Sequence, residues 1–191
     1  SRYARGRFMA SFGPTVAWEP MPGGVDSTRF RPDPVGRETV RTRHGIDDRR
    51  VIVCVSRIVS RKGQDTLVAA MPRILDRVPD AHLLIVGPGD YADTLRGMVE
   101  ERGIGERVTL TGPVDAGELV AHYCAGDVFA MPVRTEGGGF SVEGLGIVFL
   151  ESQACGVPTV AGDGGGAPES VLDGRTGDVV DGTDTDAVAD D

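Results

Sequence analysis

The sequence predicts an α/β fold, a Rossmann-like parallel sheet with helices on both faces. Short runs rich in β-branched residues, such as residues 51–55 and 82–86, alternate with longer segments of helical periodicity. These runs are apolar at nearly every position, as in strands that are covered on both faces. The 28 glycines, about twice the usual share, cluster in the loops between predicted elements. Ligands of such folds bind beyond the carboxyl ends of the strands.

The alternating pattern assigns the elements in order along the chain. They are helix 35–44, strand 51–55, helix 64–78, strand 82–86, helix 91–102, strand 108–110, helix 116–124, strand 128–131, helix 147–154, strand 159–161, a short helix from Pro168 and strand 177–180. Pro72 falls inside helix 64–78, where it is tolerated or introduces a kink. Asp115 is the predicted N-cap of helix 116–124.

The two ends of the chain differ from this repeating pattern. Residues 1–12 predict a short helix, residues 15–19 alternate like a strand, and a stretch rich in proline and glycine then predicts a linker. We interpret residues 1–22 as the remnant of a preceding N-terminal domain with the start of the linker. Residues 23–191 are then a C-terminal domain truncated at its end, and residues 181–191 the exposed start of a truncated helix.

Composition excludes several classes of protein. The formal net charge of −9 argues against a nucleic-acid binder that relies on phosphate neutralisation. Cys54, Cys124 and Cys155 lie far apart in apolar runs, which predicts buried free thiols and a reducing compartment. No apolar run approaches membrane-spanning length. A cytoplasmic location is the expectation.

The stretch from Glu143 to Glu151 is the centre of the functional prediction. Its glycines place Glu143 in a loop and Glu151 on the second turn of a helix that begins at Ile147. Even in a continuous helix the two carboxylates would be about 12 Å apart along the axis, too far for a glycosidase pair. Between them, Gly144–Ile147 forms a helix N-terminus suited to phosphate. The alternative is a surface loop that leads into a core helix.

A second anion site is predicted after the first core strand. Arg57 and Lys62 precede the helix that begins at Gln64, and they can converge on a diphosphate. The loop lacks the G-x-x-x-x-G-K-[ST] pattern and is not a P-loop. A solvated basic loop is the alternative.

Three other patterns are candidate functional sites: a dinucleotide-binding motif, a metal site and a nucleophile motif. Gly87-Pro-Gly89-Asp-Tyr-Ala92 fits G-x-G-x-x-G/A, but strand 108–110 is not followed by the acidic residue that an NAD site requires. The histidines show no metal spacing, and Gly139–Glu143 fails G-x-S-x-G at its last position. The sequence therefore predicts neither a metal centre nor a catalytic triad.

Taken together, five motifs in order resemble the C-terminal domain of retaining GT-B glycosyltransferases of glycosyltransferase family 4. They are Pro-Gly-Gly-Val-Asp26-Ser-Thr-Arg-Phe30, Arg57-x4-Lys62-Gly63, Val86-Gly87-x-Gly89, Glu143-x7-Glu151 and Gly165-Gly-Ala-Pro-Glu169. Gly23 replaces the usual Asn of the first motif. Within this family, the sequences around residues 54–65 and 142–151 are similar to actinobacterial phosphatidylinositol-mannoside mannosyltransferases.

The resemblance implies roles for particular residues. The catalytic residues would be Arg57, Lys62 and Glu143: the two cations would hold the donor diphosphate and stabilise the leaving group, and Glu143 would hold the transferred sugar. The backbone of Gly144, Leu145, Gly146 and Ile147 would bind sugar and phosphate, and Glu151 the ribose hydroxyls. Gly87, Gly89 and Val114 would line the base pocket through backbone contacts.

The resemblance also implies the reaction and the partners. Residues 23–191 would be a nucleotide-sugar-binding domain, with GDP-mannose as donor and no essential metal or other cofactor. The lipid acceptor, and peripheral contact with the inner face of the plasma membrane, would come through the absent N-terminal domain. The chain alone would bind nucleotide without catalysing transfer. The alternatives are a relative that uses UDP- or ADP-sugar with another acceptor, and a non-catalytic nucleotide-binding module.

Overall fold

The computed structural model describes residues 1–19, 21 and 23–191. Its α-helices and strands are α1 (Arg2–Phe12), α2 (Pro34–His44), β1 (Arg50–Val55), α3 (Gln64–Arg77), β2 (Ala81–Val86), α4 (Ala92–Glu101), β3 (Val108–Leu110), α5 (Leu119–Ala125), β4 (Val128–Met131), α6 (Ile147–Ala154), β5 (Thr159–Gly162), β6 (Gly177–Val180) and α7 (Thr185–Asp190). Short 3-10 turns occupy Ser60–Lys62, Gly105–Arg107, Gly137–Gly139 and Ala167–Ser170.

The six strands form one parallel sheet in the order β3-β2-β1-β4-β5-β6. Helix α3 packs against α4 and α7, and α5 packs against α2 and α6. With right-handed crossovers, this order places the two groups of helices on opposite faces of the sheet. The predicted fold class is confirmed. The strand order reverses between β1 and β4, which creates a crevice at their carboxyl ends.

The core lies on both faces of the central strands. Strand β2 is buried at every position, which accounts for its apolar sequence. A chain of aromatic rings links α5, β4 and α6: the Tyr123 ring is 5.8 Å from that of Phe129, which is 5.7 Å from that of Phe149. This packing fixes α5 and α6 relative to the strand that leads into the crevice.

Local sequence signals set several boundaries as predicted. Strands β3, β4 and β6 and helix α6 have the predicted bounds, and most others differ by one or two residues. Helix α2 begins where the Asp33 carboxylate accepts from the Gly36 N–H at 2.9 Å, and it ends at Gly45 in the left-handed conformation. Helix α3 continues through Pro72.

Two predictions about elements were wrong. Residues 15–19 form a turn and irregular chain rather than a strand. Helix α5 begins at Leu119 instead of residue 116, and the Asp115 side chain is not its cap: the Asp115 carbonyl closes a turn with the Glu118 N–H. Gly117, a weak helix former, explains the later start.

The tail was also predicted wrongly as exposed. Val188 and Ala189 of α7 are buried, and Asp190 accepts hydrogen bonds from Arg73 and Arg77 of α3. Three consecutive apolar residues in a six-residue helix are too few to reveal a buried face by periodicity. The predicted linker contains Pro20 and Pro22, which lie outside the described residues.

Other expectations concern the cysteines and the membrane. The three cysteines are free and buried, as predicted. Across the described chain, no helix combines the length and the apolar character needed to cross a membrane.

Candidate functional site

The loops that follow β1 and β4 meet in the crevice where the strand order reverses. Lys62 Nζ donates a hydrogen bond to Glu143 Oε2 at 2.5 Å, and Arg61 Nη1 contacts the same oxygen at 3.2 Å. All three side chains are largely buried. The predicted loop position of Glu143 is confirmed, whereas Arg61 was not among the predicted site residues.

The two cations keep Glu143 ionised. Burial by itself would raise the pKa of this carboxyl group, but the hydrogen bond and charge of Lys62, together with the charge of Arg61, outweigh it and lower the pKa below the usual value. Glu143 is therefore a carboxylate at neutral pH, able to accept hydrogen bonds and not to act as a general acid.

Arg57 does not take part in this cluster. Its side chain is exposed, and within the described residues its guanidinium makes no hydrogen bond or ion pair. Its backbone carbonyl accepts from Gln64 Nε2 at 3.0 Å, which ties the loop to the start of α3. The structure thus brings Lys62 into the crevice and leaves Arg57 at the rim. The predicted convergence on one diphosphate remains a prediction.

The N-terminus of α6 opens beside Glu143. The backbone N–H groups from Gly144 to Val148 donate no hydrogen bond within the described part of the chain. Gly146 has φ +82°, and a Cβ there would lie 2.5 Å from the Phe149 ring, so the helix start requires glycine. Five successive free donors with the positive end of a helix dipole form a site suited to phosphate.

Glu151 lies on the second turn of α6, as predicted, and its carboxylate is held from α5. Tyr123 Oη donates to Glu151 Oε2 at 2.6 Å. Burial raises the pKa of Tyr123, and the Glu151 charge adds to this, so the phenol stays a donor. The other oxygen, Oε1, receives no hydrogen bond from the described residues. Tyr123 was missed because a tyrosine on the buried face of a helix gives no functional pattern.

Gly87 and Gly89 allow two loops to pack closely. A Cβ on Gly87 would lie 2.2 Å from the Ser56 carbonyl oxygen, and one on Gly89 would lie 2.0 Å from that of Ile58. Both glycines are therefore needed for the loop after β2 to lie on the loop after β1. Val114 is half-buried at the edge of the core. Contact of these three residues with a nucleotide base stays a prediction.

Arg134 was also missed. It follows β4, and its guanidinium binds Asp65, Glu136 and Ser60. Nothing in the local sequence distinguishes this arginine from a solvated one, because two of its partners, Asp65 and Ser60, lie 69 and 74 positions away in the sequence.

Comparison with known proteins identifies the family. The model of the family described as "Glycosyl transferases group 1" matches residues 36–191. The chain belongs to this family. The assignment agrees with the predicted resemblance to glycosyltransferases.

A similar curated protein is the GDP-mannose-dependent alpha-(1-6)-phosphatidylinositol monomannoside mannosyltransferase of Mycolicibacterium smegmatis, 57% identical over 188 residues. The match covers 98% of this chain and 49% of that protein. This glycosyltransferase chain thus spans about half the length of the curated relatives that it matches.

Two solved structures share the fold. Anabaena Alr3699/HepE in complex with UDP and glucose aligns with a TM-score of 0.87 and 24% identity, over 100% of this chain and 50% of that one. The C-terminal domain of a glycosyl transferase group 1 family protein (LpcC) from Francisella tularensis aligns with a TM-score of 0.73 and 24% identity, over 87% of this chain and 85% of that one. At this identity the likeness concerns the fold alone.

Proposed function

We propose that this chain is the donor-binding domain of a mannosyltransferase that moves mannose from GDP-mannose to a phosphatidylinositol mannoside. The observation that carries the proposal is the contact between Lys62 and Glu143 beside the free N-terminus of α6. A nucleoside diphosphate sugar needs cations and N–H donors at its diphosphate and acceptors at its sugar and ribose hydroxyls. The names of the relatives supply the base, the sugar and the acceptor.

The chemistry follows from where charge develops. When the bond between the sugar and the diphosphate breaks, negative charge grows on the leaving phosphate. Lys62, Arg57 after a side-chain rotation, and the N–H groups at the start of α6 would stabilise that charge. Glu143 would orient the sugar by accepting from its hydroxyls, and Glu151 would use Oε1 for the ribose. We propose that these groups act without a metal cofactor.

The acceptor requires residues beyond those of the described crevice. We propose that the lipid acceptor and peripheral contact with the inner face of the plasma membrane involve another part of the longer protein, which acts in the cytoplasm. The 191-residue chain is then expected to bind nucleotide without transferring sugar. Transfer of sugar by this chain alone would contradict the proposal that another part of the protein is required.

The deciding experiment is calorimetric titration of the chain with GDP, UDP and ADP. Selective binding of GDP, weakened by Glu151→Ala and unchanged by Glu100→Ala, supports the proposal. Glu100 is the control because it is an exposed glutamate on α4. Preference for UDP or ADP would keep the family and overturn the GDP assignment. Absence of nucleotide binding, repeated with the full-length protein, would favour a non-catalytic module.

A further inference from the structure

We propose that Arg134 is a positioning residue that holds the Lys62 loop and the Glu143 loop in contact. The inference rests on the proposed function for its consequence, since these two loops would bind the donor diphosphate and sugar. Its physical basis is independent of any ligand. Arg134 lies three residues beyond β4, and its side chain is 16% exposed.

One guanidinium joins three segments. Nη1 and Nη2 bind the two carboxylate oxygens of Asp65, on the first turn of α3, at 2.8 Å each. Nε donates to Glu136 Oε1 at 2.8 Å, and Nη2 also donates to Ser60 Oγ at 2.7 Å. Ser60 Oγ in turn donates to Glu136 Oε1 at 2.7 Å, which closes the network. Only a planar fork of donors can satisfy these acceptors together.

The network fixes the turn that presents Lys62. Ser60 begins the 3-10 turn Ser60–Lys62, and the Arg134 N–H donates to the Arg61 carbonyl at 2.9 Å. Next to it, Gly63 has φ +75°, and a Cβ there would lie 2.0 Å from the Pro132 carbonyl oxygen. Arg134 therefore tethers this turn through both its backbone and its side chain.

The same network fixes the segment that presents Glu143. Glu136 and Ser141 pair through two backbone hydrogen bonds of 2.9 and 3.1 Å, which form a small hairpin around Gly137–Gly139. Glu143 follows Ser141 by two residues. The contact of Glu136 with Arg134 thus sets the base of the hairpin and, through it, the place where the Glu143 carboxylate meets Lys62.

A purely structural ion pair would be the competing explanation. Loss of Arg134 would leave Asp65 and Glu136, both mostly buried, without their cation, and this penalty lowers stability wherever a buried pair is broken. A test must therefore separate the cost of an orphaned carboxylate from the loss of alignment between the two loops.

The separating variant is the double substitution Arg134→Ala/Asp65→Ala, which removes both charges of the main pair. The control is Arg73→Ala/Asp190→Ala, because Arg73 and Asp190 form another two-oxygen Arg–Asp pair, exposed and between α3 and α7. Arg134→Lys provides a milder variant that keeps the charge and loses the fork.

The first readout is amide hydrogen exchange in the chain without nucleotide. We expect exchange of the hydrogen-bonded amides within residues 59–63 and 136–141 to accelerate about tenfold or more in Arg134→Lys and in the double variant, with the strands unchanged. Urea denaturation should show that the double variant regains part of the stability lost in Arg134→Ala. The proposal would be overturned if both loops of Arg134→Lys and of the double variant exchanged at the same rate as in the unsubstituted chain.

The second readout compares GDP with guanosine by calorimetry. We expect the Arg134 variants to bind GDP about tenfold more weakly than the unsubstituted chain. Their affinity for guanosine should be unchanged, because the proposed contacts with the base and the ribose lie elsewhere. An equal loss of affinity for GDP and for guanosine would indicate general destabilisation and would overturn the positioning role. If Lys62→Ala weakens GDP binding and the Arg134 variants do not, the inference fails while the proposed function stands. If the unsubstituted chain does not bind GDP, the proposed function fails and amide exchange still decides the positioning role.

Discussion

Lys62 and Glu143 are 81 positions apart in the sequence and share a 2.5 Å hydrogen bond across the crevice between β1 and β4. Lys62 is also the sole lysine of the chain, in which every other basic side chain is arginine or histidine. A compact ammonium group, unlike a guanidinium fork, fits a narrow space and exchanges partners readily. The pairing satisfies two largely buried charges.

Lys62→Ala is expected to weaken GDP binding by about ten- to a hundredfold, the usual value of a hydrogen bond to a charged group. Since Arg61 still compensates Glu143, global stability should fall much less than binding. Calorimetry and urea denaturation measure the two effects. Because the chain has one lysine, selective 15N-lysine labelling gives a single ammonium signal. That signal should shift on addition of GDP, and a stationary signal would contradict direct contact.

Tyr123→Phe removes the donor to Glu151 and keeps the buried ring. We expect a stability loss of about 1 kcal/mol, because a partly buried carboxylate oxygen loses its partner. The affinities for guanosine and for GDP should fall by the same several-fold factor, because Glu151 is proposed to contact the ribose that both ligands contain. Tyr3→Phe is the control, because Tyr3 contacts Glu169 through its backbone N–H. A GDP-specific loss would place Glu151 elsewhere on the donor.

Gly146→Ala is expected to lower stability and GDP affinity together. Its φ of +82° is strained for alanine, and the added Cβ would meet the Phe149 ring at 2.5 Å. Gly97→Ala in α4 is the control, because its Cβ would enter open space. Removal of glycine from the interior of that helix should stabilise the chain by up to about 1 kcal/mol. Thermal unfolding and calorimetry compare the two variants, and equal effects would contradict the role of Gly146.

His82 is expected to make stability fall at acidic pH. Burial, with smaller contributions from Arg49 and His44, lowers its pKa from 6.5 to about 4. In the unfolded chain His82 is therefore protonated below about pH 6.5, whereas in the folded chain it is protonated only below about pH 4. The stabilising effect is complete above pH 6.5 and decreases as the pH falls through this window, by about 3 kcal/mol at most.

Urea denaturation between pH 4.5 and 7.5 tests this expectation. His82→Gln should show a shallower decline of unfolding free energy than the unsubstituted chain over that range. Glutamine is chosen because it can still pair with the Thr109 hydroxyl, which lies 2.8 Å from His82 Nε2. Identical pH profiles would show that other groups cause the decline.

The site was predictable where one segment decides the outcome. The place of Glu143 in a loop and of Glu151 on the second turn of α6 follows from two glycines and a short helical run. Tyr123 and Arg61 were not predictable in the same way, because each matters through a partner that is distant in sequence. Gly87 and Gly89 were found by their spacing, while their packing against the Ser56–Ile58 backbone emerged from the structure.

The sequence by itself determined the strands, the helices with clear caps and the family, since apolar runs, caps and ordered motifs are local properties. The tertiary structure decided which side chains meet. Strand β1 lies beside β4 rather than β3, and this order brings Lys62 to Glu143 and Arg134 to Asp65. Strand order depends on the packing of whole helices against the sheet. The hydrogen bonds between loops that follow different strands therefore cannot be predicted from the periodicity of any single segment.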